Sequence, residues 1–88
     1  MSMKSVHVST CLKFGMQFKF FGSKQVYEML DDNIGYKKIV PGELRQKRFF
    51  LTEFDKDNIR SVYDPRRNRQ IAKRKTRGGR LECFYQKN

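Results

Sequence analysis

The chain reads as a small α+β domain, an antiparallel sheet of about five to six strands carrying one or two short helices. Three observations predict it. Apolar and polar residues alternate with a period of two up to Phe20; a capped stretch with a helical apolar face follows; and turn-separated extended runs fill the C-terminal half.

The elements follow in chain order. Between Val6 and Phe20 the even positions are Val6, Val8, Thr10, Leu12, Phe14, Met16, Phe18 and Phe20, and the odd ones are His7, Ser9, Cys11, Lys13, Gly15, Gln17 and Lys19. The even set is the expected core face of a strand or strand pair. Fully extended, this run would span about 50 Å, too long for so small a domain, so a bend or bulge is expected near Gly15. Ser23 is a good N-cap for a helix running to about Asp31, with Val26, Tyr27, Met29 and Leu30 on one face. Asp31 and Asp32 oppose the dipole at its C-terminus, and Gly35 ends it. Pro41 to Lys47 offers a second helical turn or a plain turn. Arg48 to Phe54 reads as a strand, Asp55 to Asn58 as a turn, Ile59 to Tyr63 as a strand, and Pro65 to Asn68 as another turn. Arg69 to Thr76 and Arg80 to Gln86 read as a hairpin closed by the two residues Gly78 and Gly79.

With 88 residues the chain is expected to form one basic domain, residues 1–88, whose thin core leans on eight Phe and four Tyr. The longest apolar cluster, Phe18 to Phe21, is interrupted by Lys19, and no signal-peptide core follows Lys4. These features predict a protein that does not engage membranes and is intracellular and soluble, in cytoplasm or nucleoid. In that setting Cys11 and Cys83 are expected to be reduced and to act as small buried hydrophobes. Together with His7 they fall short of a four-ligand zinc set. No nucleotide-binding glycine motif, HExxH or GxSxG is present, so no cofactor is expected.

Charge carries the functional expectation. The net charge is +11, and residues 44–88 hold fourteen cations against five acids. Arg66, Arg67, Arg69, Lys73, Arg74, Lys75, Arg77 and Arg80 fall within fifteen residues that contain no carboxylate. Such cations cannot be buried unpaired, and their mutual repulsion is relieved by a polyanion that releases its own counterions. The expected device is a projecting basic hairpin, around residues 66–85, with Lys75, Arg77 and Arg80 at its tip and nucleic-acid phosphates as ligand. Arg45, Lys47 and Arg48, ahead of Phe49 and Phe50, form a second candidate phosphate-binding group.

The segment Ser23 to Phe50, a capped helix followed by a basic turn and a Phe pair, is similar to modular DNA-binding segments beside mobile-element nucleases. The basic, β-rich C-terminal half is similar to small ribonuclease toxins. No residue roles carry over from either resemblance.

The function expected is therefore that of a non-catalytic nucleic-acid-binding protein, a small regulatory or accessory factor. Two alternatives stay open: a regulator or inhibitor that docks on an acidic protein partner, and a metal-independent ribonuclease using Tyr85, Glu82 or His7 beside Arg74 and Arg80. DNA against RNA, and the oligomeric state, are not legible.

Overall fold

A computed structural model describes residues 2–5 and 11–85, with side-chain surroundings for residues 11–83. In chain order the elements are β1 (Ser2–Ser5), β2 (Gln17–Phe20), β3 (Tyr27–Met29), β4 (Gly35–Lys38), β5 (Phe49–Phe50), α1 (Glu53–Asp57), β6 (Ile59–Asp64), β7 (Arg69–Arg74) and β8 (Leu81–Tyr85). The strands form one sheet in the order β1-β8-β7-β6-β2-β3-β4-β5, antiparallel at every step. The expected α+β class is thus corrected to a mostly β protein with eight strands among the described residues and a single five-residue helix.

The helix expected over Ser23 to Asp31 is a strand and a turn instead. A two-turn helix gains little beyond its nucleation cost, whereas extending the chain places Tyr27 among other rings. Its ring lies 5.5 Å from that of Phe18, 5.2 Å from Phe20 and 5.4 Å from Tyr36. Of the acidic residues expected to weaken a helix end, Asp31 instead helps close the β3–β4 hairpin, while Asp32 Oδ1 accepts the Phe14 N–H at 2.8 Å. Asp31 Oδ1 accepts the Gly35 N–H at 2.6 Å, Asn33 takes φ of 61°, and the Leu30 N–H reaches the Gly35 carbonyl at 2.8 Å. A Cβ on Gly35 would lie 2.6 Å from the Arg48 guanidinium, which bridges to Asp31 at 2.5 Å, so a side chain there would displace that bridge. That bridge first, and the Gly35 N–H second, hold the Asp31 carboxyl below its ordinary value.

Residues 41–47 form a turn, with the Glu43 N–H on the Val40 carbonyl, and not a helical one. Leu44 is fully exposed, so a helix there would have had nothing to bury. Helix α1 lies where a strand end and a turn were expected. Thr52 and Asp55 make a capping box, each side chain accepting the other's backbone N–H at 3.0 Å.

The N-terminal alternation is realised only in part. Residues 6–10, including His7, lie outside the described residues. Cys11 to Met16 is a looped segment, with the Gly15 N–H on the Met29 carbonyl, and Phe14 is 55% exposed, not in the core. Within β2 the period of two holds, and bulges interrupt it in β6 and β7. Phe18, Val62, Ala72 and Cys83 stand opposite one another across β2, β6, β7 and β8, and all are buried. Around Phe18, which is 1% exposed, Phe20 and Tyr36 pack edge-on at 5.3 and 5.2 Å, and Phe49 stacks on Tyr36 at 5.5 Å. Burial raises the Tyr36 phenol to about 12, with Asp55 and Tyr27 adding to the shift.

Cys11 and Cys83 are joined in a disulfide, correcting the expectation of free thiols. The looped segment lays Cys11 against β8, whose core face holds Cys83, and both residues are buried. Closing a loop with sequence separation 72 removes denatured-state entropy worth about 4 kcal/mol in the chain-entropy account.

Candidate nucleic-acid interface

The face of the sheet opposite the core carries the charge. One residue along from the buried row, Lys19, Ser61, Lys73 and Glu82 stand opposite one another across β2, β6, β7 and β8. The β2–β6 register shifts after Lys19, so that Phe20 faces Ile59 and Arg60 becomes the extra residue of a bulge. Bulges re-aim side chains, and Arg60 is exposed here. Lys19, Arg60, Ser61, Gln70, Lys73, Arg74 and Lys75 line an open groove of about 470 Å³, with Glu82 outside it on β8. Five of the seven are cations and none is a carboxylate.

Arg74 differs from its neighbours. It stands opposite Leu81 on the core-facing register and is only 8% exposed. Its Nη1 donates to the Asp57 carbonyl at the end of α1, while its Nε has no partner. Burial lowers its pKa from the ordinary arginine value, and Asp57 partly opposes that shift. The guanidinium nevertheless stays charged at neutral pH. Its guanidinium is a fixed cation on the core side of β7, held against the end of α1 with one donor unused.

The structure divides the basic run between the two ends of β7. Lys73, Arg74 and Lys75 join the groove. Arg66, Arg67 and Arg69 lie around the β6–β7 turn, where Arg67 reaches Asp64 at 3.6 Å, the Arg66 N–H is held by Asp64 Oδ1 at 2.9 Å, and Arg69 stands opposite Asp64. Arg77 and Arg80 are exposed in the β7–β8 connection, with the Arg77 guanidinium within 3.5 Å of where a Cβ on Gly22 would lie. The expected two-residue Gly-Gly turn is corrected to a six-residue connection, residues 75–80. The Gly79 N–H bonds the Thr76 carbonyl at 2.9 Å, and Gly78, at φ of 84°, takes the left-handed position of a type II turn. Nor is the hairpin a separate ribbon: β7 is paired on both sides, by β6 and β8, and β8 also pairs with β1. Pairing of Arg69 to Arg74 on both edges uses backbone groups that a projecting arm would leave to solvent.

The second basic group lies beside β5, at the opposite edge of the sheet from β1. Arg48 is engaged with Asp31 and sits 5.5 Å over the exposed Phe50 ring, and Lys47 Nζ lies 5.4 Å over Phe49. Arg45 is exposed. Strands β3 and β4 separate this group from the groove.

Lys19, Arg60, Ser61 and Gln70 belong to the site although sequence reasoning did not name them. Lys19 was readable as the outward residue between Phe18 and Phe20. Its placement beside Lys73 depends on β2 pairing with β6, a contact across more than forty residues that no local pattern reveals. Among the described residues no group of three or more His, Cys, Asp or Glu could hold a metal, and no helix is long and apolar enough to cross a membrane. Of the ribonuclease candidates, Glu82 faces Lys73 and Ser5 from β8; His7 and the Tyr85 side chain lie outside the described residues. No protein-family model matches the chain, and no curated protein or solved structure is significantly similar to it.

Proposed function

We propose that the protein binds nucleic acid through the phosphate backbone, without catalysis, as a regulatory or accessory factor. The observation that carries this reading is the groove between β2, β6 and β7, with five cations and no carboxylate in its lining. Phosphates are the ligand that relieves this repulsion and gains from counterion release. The polar residues among the cations, Ser61 and Gln70, can donate to phosphate or sugar oxygens, which supports a backbone-binding role. An intracellular setting, in cytoplasm or nucleoid, accords with such a ligand. The Cys11–Cys83 disulfide counts against a reducing compartment, where thiols are kept reduced.

A salt titration tests the reading. For the native chain, log affinity should fall linearly with log salt, by about 0.7 to 0.9 per phosphate engaged. The combined variant Lys19→Gln, Arg60→Gln, Lys73→Gln, Lys75→Gln should flatten that slope by about three units. Neutralising Arg45 and Lys47 together should change it far less. Affinity indifferent to salt, or equal losses from the two groups, would overturn the assignment of the groove.

A further inference from the structure

We infer that the groove takes a single-stranded polynucleotide and seats one unpaired base against Tyr63; this rests on the phosphate-binding reading above. The basic groove runs into a second recess of about 280 Å³, lined by Gln17, Phe18, Lys19, Val26, Ser61, Tyr63 and Gln70. Lys19, Ser61 and Gln70 belong to both. The two recesses differ in chemistry: the first is cationic, whereas the second has Lys19 as its sole charge and adds two aromatic residues, Phe18 and Tyr63, an apolar branch and a second amide.

The sheet register explains the arrangement. Gln17, Tyr63 and Gln70 stand opposite one another across β2, β6 and β7, so that the ring is flanked by an amide on each side. This row lies two residues along the strands from Lys19 and Ser61, a separation of about 7 Å on the same face. The Tyr63 hydroxyl donates to Asn68 Oδ1, which fixes the ring from the β6–β7 turn. Val26, one residue before the partner of Phe18, extends the apolar margin beside Lys19. The combination matches a nucleotide: the ring stacks on the base, the Gln17 and Gln70 amides offer donors and acceptors to its edge, and Lys19, Arg60, Lys73 and Lys75 hold the flanking phosphates. In a duplex the base faces are covered by their neighbours, so a paired strand could use only the cationic half.

Fluorescence anisotropy with a labelled single-stranded RNA, the single-stranded DNA of the same sequence, and the duplex of each, at one salt concentration, tests this. Single strands should bind more tightly than duplexes, and either sugar satisfies the inference, the preferred one identifying the source. Tyr63→Leu, which keeps apolar bulk without the ring, should weaken single-strand binding about tenfold or more, with Tyr63→Phe close to the native chain and duplex binding unmoved. Gln17→Ala with Gln70→Ala should weaken single-strand binding too, which keeps the test independent of how position 63 tolerates substitution. Equal affinity for single strands and duplexes, or a folded Tyr63→Leu protein that binds like the native one, overturns the base site. If that happens while the four-cation variant still loses binding, the phosphate reading stands without it; if the four-cation variant also binds normally, both fall.

Discussion

The core face of β2 to β5 is dominated by rings, whereas that of β6 to β8 is aliphatic and carries a disulfide. Phe18, Phe20, Tyr27, Tyr36 and Phe49 form a continuous set of edge-on and stacked contacts in the first half. The second half presents Ile59, Val62, Ala72, Leu81 and Cys83, with the sulfur bridge to Cys11. The outward faces differ as well, since the groove's cations gather mainly on the half with the aliphatic core. A short chain that uses much of one strand for Lys and Arg has fewer positions for aromatic residues, and a covalent link adds stability to that half.

That contrast can be broken from either side. Phe18→Ala should have the largest effect, about 3 to 5 kcal/mol in urea unfolding, because it removes the ring on which Phe20, Tyr27 and Tyr36 all pack. For a domain this small, that is a large share of total stability. Reduction, or Cys83→Ser, should cost about 2 to 4 kcal/mol. It should also act locally: amide hydrogen exchange should quicken in β6 to β8 before β2 to β4. Uniform quickening across the sheet would mean that the disulfide supports the whole core and not one half.

The smallest effect concerns Tyr36. Its folded pKa is raised to about 12, above the unfolded value near 10, because burial disfavours the phenolate. Its contribution is therefore complete below pH 10 and is lost as pH rises through about 12. Tyr36→Phe should remove that part of the alkaline loss of stability, as read by thermal unfolding of both proteins across the interval.

The C-terminal half was the more legible. Ile59 to Tyr63, the Pro65 to Asn68 turn and the two strands beyond carried enough alternation and turn chemistry to be read nearly in place. The segment Ser23 to Asp31 was misread because Val26, Tyr27, Met29 and Leu30 suit a helical face as well as a strand. The decision rests with Phe18 and Tyr36, distant partners that a local pattern does not contain. The capping box of Thr52 and Asp55 was present in the sequence but was hidden by the apolar run Phe49 to Leu51 that precedes it. At the site, the charge was legible and its grouping was not. Lys73, Arg74 and Lys75 were expected to act with Arg77 and Arg80, but the sheet assembles them with Lys19 and Arg60. The cysteine pair was misjudged because a spacing of 72 residues carries no local sign of proximity.

The bridge between Cys11 and Cys83 also determines how the molecule answers to force. Tension applied between the two ends of the chain passes from residue 11 to residue 83 through the sulfur atoms, so the strands from β2 to β7 lie outside the loaded path. Extension is then confined to the residues beyond the two cysteines, beginning with the separation of β1 from β8. Once the bridge is reduced, the same pull runs through the 72-residue interval, which can release roughly 250 Å of chain. Oxidised, the protein behaves as a short inextensible link; reduced, it becomes a long compliant one.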